Sequence, residues 1–141
     1  MSGTETRADR IVKGMYSRDA FSQWLGVEVL TVGPGTCRCR MRVRPEMVNG
    51  FGVAHGGIAF AFADSAFAFA CNTQGRIAMS IENAISYPAP IHPGDVLVSD
   101  ASEETTTGRL GFYSVRVTNQ KEEIVALFRG VAYRTGEEHT E

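Results

Sequence analysis

Strict alternation is the clearest periodic signal in this chain. Between Thr36 and Arg44 the side chains of Cys37, Cys39, Met41 and Val43 fall on one side, and those of Arg38, Arg40, Arg42 and Arg44 on the other. A period of two predicts a half-buried strand with a charged outer face. Gly33-Pro34-Gly35 before it is a turn, and residues 26–32 read as the preceding strand. After Pro45 and the turn residues Asn49-Gly50 and Gly52, the pattern changes at His55-Gly56-Gly57, where a helix begins. Residues 58–71 are rich in alanine and phenylalanine and carry no polar stripe, which predicts a helix enclosed on every side. The run is shorter than the roughly 20 apolar residues a bilayer crossing needs, and Asp64 sits at its middle.

Strand character resumes over 77–87, breaks at Pro88, Pro90, Pro93 and Gly94, and returns over 95–106, 110–117 and 124–133. Gly108 and the stretch 119–123 supply the turns. Upstream, Ile11, Met15, Phe21, Trp24 and Leu25 have a spacing that docks one or two short helices on a body. The order of cap, two strands, one central helix and four strands predicts an α+β fold, with an antiparallel sheet around a single helix. Residues 1–25 are read as the helical cap, 26–135 as the main domain and 136–141 as a polar tail.

With 141 residues, the chain suits one domain and one core. Its 43% hydrophobic and 21% charged residues are those of a globular protein. A net charge of −2 lacks the basic excess that drives binding to phosphate backbones, so neither nucleic acid nor a membrane is an expected partner. The arginine row reads either as a phosphate-binding ladder or as a solvated face that resists edge pairing. Three cysteines without paired spacings, and no apolar leader at the N-terminus, point to the cytoplasm. Cys37 and Cys39 have no second ligand pair for a tetrahedral metal, and no metal site is expected.

Candidate chemistry gathers on the central helix. The positions nearest Asp64 on the helix surface are Gly57, Phe60, Ala61, Phe67, Ala68 and Cys71, all small or apolar. A carboxylate there loses hydration and its pKa rises unless donors compensate, a condition concentrated at functional sites. The alternative is an aspartate that faces solvent or caps a loop. At His55-Gly56-Gly57 the first helical turn offers unpaired amides with partial positive charge, and an acyl oxygen fits such a place. The glycines also suit plain helix-to-sheet packing, and His55 suits a loop hydrogen bond. Asp64 lies eight residues beyond Gly56, about 12 Å along one straight helix. A reacting carboxylate must come within about 3–3.5 Å of its target or reach it through one water. Two helices running antiparallel across a two-fold axis would bring Asp64 of one chain to the Gly56 end of the other, giving two equivalent sites.

These segments carry a family resemblance. Asn49-Gly50, His55-Gly56-Gly57, Asp64 to Ala68, Ala70-Cys71-Asn72, Tyr87 to Asp95, Asn119-Gln120 and Val125 to Gly130 together resemble the PaaI-type phenylacetic acid degradation thioesterases over residues 20–134. The resemblance implies the hot-dog fold, a long helix wrapped by a curved antiparallel sheet. It implies hydrolysis of acyl-CoA thioesters, with phenylacetyl-CoA and ring-hydroxylated aryl-acyl-CoA as first substrates, in a dimer of dimers. By the same resemblance Asp64 is the general base or nucleophile and the Gly56 amide polarises the thioester carbonyl. Asn49 and His55 position substrate or water, and Ser80 orients the water. No cofactor is implied, since coenzyme A is part of the substrate.

Phe60, Phe62, Phe67 and Phe69 are candidates for an aryl pocket or for plain core. Lys121 and Arg129 are candidates for the nucleotide of coenzyme A. No Gly-x-Ser-x-Gly elbow is present, which disfavours an α/β serine hydrolase. Two other functions fit the same residues: a hydratase or dehydratase acting on enoyl-CoA, and a non-catalytic acyl-CoA-binding module.

Overall fold

The structure, a computed structural model, describes residues 3–140. Two helices, α1 (Arg7–Ser17) and α2 (Ala20–Leu25), open the chain, followed by β1 (Glu28–Gly33) and β2 (Thr36–Arg42). The central helix α3 (Gly56–Cys71) comes next, then β3 (Arg76–Ser86), β4 (Val96–Thr107), β5 (Leu110–Thr118) and β6 (Ile124–Glu138). All strand pairs are antiparallel, in the order β1-β2-β4-β5-β6-β3. The link from β2 to β3 therefore carries α3 across one face of the sheet, from near one edge to the other. This is the α+β hot-dog arrangement that the resemblance implies. None of the described helices is long and apolar enough to cross a membrane.

Alternation in β2 works as the sequence predicts. Cys37, Cys39 and Met41 are buried, while the arginines between them point outward. Arg38 pairs with Asp100 at 3.4 Å, Arg40 with Glu28 at 3.1 Å and Arg44 with Glu46 at 3.2 Å, so three of the four guanidinium groups are held by carboxylates on a solvated face. The thiols of Cys37 and Cys39 face each other inside the core with sulfurs 3.8 Å apart.

Each end of α3 is tied down by a side chain. His55 caps the start through Nδ1, which accepts from the Gly57 amide at 2.9 Å. At the other end Asn72 donates to the Ala68 and Ala78 carbonyls at 2.8 and 3.1 Å and accepts from the Ala78 amide at 2.9 Å, which fixes where β3 begins. Phe62, Phe67 and Phe69 are at most 1% exposed. Burial of such a ring contributes about 1.5–3 kcal/mol, and Phe67 meets Tyr113 and Phe128 at centroid distances of 5.5 and 5.7 Å. These three rings are core and are not available to line a substrate pocket; only Phe60, edge-on to Phe128 at 5.4 Å, is partly exposed.

Three further expectations change. The helix expected to be enclosed on every side leaves one stripe, Gly57, Ala61, Asp64 and Ala68, only partly covered or exposed within the single chain. In the cap, Ile11, Val12 and Leu25 dock, but Phe21 and Trp24 remain 55% exposed and stack on each other at 5.9 Å. The strand expected to end at Tyr133 runs to Glu138, because β3 begins early enough to pair Arg76 with Glu138. The Arg7 guanidinium, 3.2 Å from Glu138, and the bond from the His139 amide to the Gly75 carbonyl hold that extension.

Candidate active site

The residues that the sequence singles out fall into two groups on α3, one at its start and one at its middle. Upstream of the start, the loop folds back through the Val48–Ala54 bridge and the bonds from the Asn49 amide to Val53 O and from the His55 amide to Met47 O. Asn49 Oδ1 accepts from the Phe51 amide at 2.9 Å, a tight Asx turn, which leaves its Nδ2 with no acceptor among the described residues. Because His55 Nδ1 accepts the Gly57 N–H, the neutral ring carries its proton on Nε2 and presents a donor outward. The Gly57 amide is thereby occupied, whereas the Gly56 N–H finds no acceptor among the described residues.

Tyr87 joins this group from the end of β3. Its hydroxyl donates to the Gly56 carbonyl at 2.7 Å. A Cβ on residue 56 would lie 3.1 Å from that oxygen and 3.3 Å from Cζ, so only glycine lets the ring lie this close without adjustment. A cleft of about 200 Å³ opens here, walled by Val53, Ala54, Gly56, Ala59, Tyr87 and Ile91. No spacing in the sequence marks Tyr87 as part of the site; the β3 register brings it over the helix start.

The second group surrounds Asp64, which is half-buried on the uncovered stripe. Burial pushes its carboxyl above the ordinary range, and the negative charge of Asp19 adds to the effect. Asp19 is held at the start of α2, where it accepts from the Ser22 amide at 2.9 Å and hydroxyl at 2.6 Å. Ser22 in turn shares a hydrogen bond of 2.7 Å with Ser65, the neighbour of Asp64. Replacing Asp19 with Asn keeps a cap oxygen and removes the like charge. Asp64 should then titrate at lower pH, a change read by NMR of the labelled carboxyl carbon.

Ser80 is exposed and does not touch Asp64; its hydroxyl donates to Asn83 Oδ1 at 2.9 Å. It is Asn83, through Nδ2, that reaches Asp64 Oδ1 at 3.4 Å. In a regular strand, residues three apart point to opposite faces, but the β3–β6 pairing slips between Ser80 and Glu82 and brings these two side chains together. Arg129 is exposed and lines a shallow cleft of about 170 Å³ with Glu82, Asn83, Ala84 and Val131; Lys121 lies exposed in the turn before β6. A larger hollow of about 960 Å³, a groove between α1 and the edge strand β1, is lined by residues of neither group. Its charged side chains are already committed, Asp9 to Thr6, Lys13 to Glu5 and Glu28 to Arg40. The smaller cleft at the free Gly56 amide is therefore the better site candidate.

The two groups are complementary in charge but lie about two helical turns apart on one chain, about 12 Å by the rise per residue. A free amide at a helix N-terminus suits a developing oxyanion, and a desolvated carboxylate suits proton abstraction or attack.

The chain is similar to known proteins in sequence and in fold. The family model for the thioesterase superfamily matches residues 51–126, which contain the helix start, Asp64, Ser80, Asn83 and Tyr87. The chain is 37% identical over 122 residues to acyl-coenzyme A thioesterase PaaI of Escherichia coli (strain K12), covering 86% of this chain and 87% of that one. It is 30% identical to acyl-coenzyme A thioesterase 13 of Homo sapiens, covering 78% and 81%. The solved structure of the E. coli PaaI protein from the phenylacetic acid degradation operon superposes with a TM-score of 0.93 at 34% identity, covering 98% of this chain and all of that one. By fold, by the matched segment and by identity across most of its length, the chain belongs to the thioesterase superfamily.

Proposed function

We propose that this thioester hydrolase cleaves acyl-CoA substrates at sites shared between two subunits, and that its preferred acyl groups carry a single aromatic ring. The observation that carries the reading is the pairing of an unoccupied Gly56 N–H with a half-buried Asp64 on the uncovered stripe of the same helix. A partner chain covering that stripe in antiparallel orientation brings each Asp64 to the other chain's helix start. Small residues along the stripe, Gly57, Ala61 and Ala68, allow a second helix to approach closely. β3 is itself an edge strand with one unpaired side, open to pairing with a second chain, and its Met79 and Ile81 are 58% and 59% exposed. Pairing of such dimers into a tetramer, and a cytoplasmic location, belong to the same reading.

In the reaction the thioester oxygen accepts the Gly56 N–H, which stabilises the oxyanion that forms as the carbonyl is attacked. Asp64 either takes a proton from the attacking water or attacks the carbonyl itself, in which case the mixed anhydride left on Asp64 after thiolate loss is hydrolysed by water to the free acid and the carboxylate. Collapse of the tetrahedral adduct breaks the carbon–sulfur bond and releases coenzyme A as a thiolate. A thiolate is a far better leaving group than an alkoxide or an amide anion, so the chemistry asks for no metal and no organic cofactor. The His55 Nε2–H and the Asn49 amide supply further donors at the helix start to orient substrate or water, and Arg129 and Lys121 offer positive charge to the nucleotide phosphates.

The cleft beside Gly56 supports the aryl preference. At about 200 Å³ it has room for one ring, given that an apolar cavity of about 150 Å³ takes up benzene. The name of the E. coli relative's operon points to the same acyl class. A panel of acyl-CoAs, followed by thiol release, tests the proposal. Phenylacetyl-CoA and its ring-hydroxylated forms should exceed long straight-chain acyl-CoAs in kcat/KM by roughly tenfold or more. Equal rates across the panel would remove the aryl preference. Hydration of an enoyl-CoA without free thiol would overturn the hydrolase reading.

A further inference from the structure

Ser80 and Asp64 do not touch, and the side chain between them is one that the chemistry has not yet used. Asn83 lies on β3 directly opposite Gly130 of β6. A Cβ on Gly130 would come within 2.8 Å of the Phe67 ring and 3.0 Å of Asn83 Oδ1. The absent side chain therefore opens a window under α3 through which Asn83 reaches toward the helix. Its amide has two ends with different partners. The oxygen takes the Ser80 hydroxyl at 2.9 Å, and the nitrogen faces Asp64 Oδ1 at 3.4 Å. A carboxylate accepts only, so the Asp64 side demands the NH₂ end, and Ser80 must then donate to the oxygen. The strand irregularity between Ser80 and Glu82 makes this chain of contacts possible.

We propose that Asn83 is a positioning residue for Asp64: its side-chain amide, anchored by Ser80 and admitted by Gly130, fixes which carboxylate oxygen is held and leaves the other free to act. This inference rests on the thioesterase reading for its kinetic consequences, but the contact itself is independent of substrate. Without the amide, the carboxylate rotates on its helix and spends less time aimed across the two-fold axis. The charged neighbours that act on Asp64 from other directions are few. Asp19 faces it from the start of α2, the Cys71 thiol on α3 is pushed up to about 12 and stays protonated, and Glu82 and Arg129 border Asn83.

The experiment compares Asn83→Ala, Asn83→Ser and Ser80→Ala by two readouts. In Asn83→Ala, NMR titration of the labelled Asp64 carboxyl without substrate should move upward by roughly half to one pH unit, because a donor to the ionised form is lost. The acid limb of kcat/KM should follow it, and kcat should fall about tenfold with KM little changed, as expected when orientation at the reacting centre is lost. Asn83→Ser keeps a donor and should restore most of the turnover, while Ser80→Ala should move the titration in the same direction by less. A lowered melting temperature in Asn83→Ala with the Asp64 titration unmoved would overturn the proposal and leave Asn83 a packing residue. An inactive wild type whose Asp64 titration still responds to Asn83→Ala would sink the thioesterase reading alone.

Discussion

Replacing Asp64 with Asn should lower turnover of the preferred thioester by about 10²–10⁴-fold, the range that a positioned acid–base group supplies. A nucleophilic carboxylate would be missed at least as severely. The amide keeps the size and most of the hydrogen bonds of the carboxyl, so the fold and the contact with Asn83 survive while proton abstraction and attack do not. The same change should raise the melting temperature at neutral pH. Burial holds the Asp64 carboxyl above its ordinary value, so between the unfolded pKa and the folded one the native state binds the proton that the unfolded state has already released. Stability therefore falls as pH rises through that window, and above it the folded chain bears the full cost of a desolvated charge. Asparagine removes that cost. Thiol-release kinetics and thermal unfolding at two pH values check both halves. Near-normal turnover in a folded variant would remove Asp64 from the mechanism, and a lower melting temperature at neutral pH would contradict its desolvation. A residue whose removal stabilises the protein and stops the chemistry is one retained for function.

The parts of this molecule that obey a simple period are legible in its sequence. β2 alternates because one face meets the core and the other water, so Cys37 to Val43 could be assigned side by side with their arginines. The start of α3 is legible because a histidine followed by two glycines marks a cap and a close approach. Asp64 stands out because its neighbours on the helix surface are small or apolar. What was not legible depends on register between segments far apart in the chain. Ser80 and Asn83 share a side only because the strand slips between Ser80 and Glu82, and Asn83 reaches α3 only because Gly130 lies opposite it. Tyr87 covers Gly56 through the same long-range registration. Phe62, Phe67 and Phe69 show the opposite difficulty: an apolar run looks alike whether it lines a pocket or fills a core, and only the sheet wrapped around α3 decides between them. The uncovered stripe escaped the sequence reading for a related reason. A helix that its own sheet covers on all but a narrow stripe, most of it small residues, carries nearly the composition of a fully enclosed one.

Two inactive variants should make an active enzyme when they are combined. Proline at position 56 removes the amide hydrogen with little disturbance elsewhere. Residue 56 is the first of α3, where proline is well tolerated, and His55 already has the extended backbone, φ −59° and ψ 136°, that a residue before proline requires. Gly56→Ala is the control, since it crowds the Tyr87 hydroxyl in the same way but retains the N–H. Gly56→Pro should lose about 10²–10³-fold in kcat, the cost of one oxyanion donor, and Gly56→Ala much less. If each site takes Asp64 from one chain and the Gly56 amide from the other, a heterodimer of Asp64→Asn and Gly56→Pro subunits has both lesions in one site and neither in the second. Heterodimers purified through two different tags should then recover about half the wild-type activity per dimer. Were Asp64 and Gly56 to serve the same site from the same chain, every site in that heterodimer would carry one lesion and the mixture would stay inactive. The contrast between half activity and none depends on the separation of about 12 Å along α3, which is too far for one water to bridge and short enough for a neighbouring helix to close.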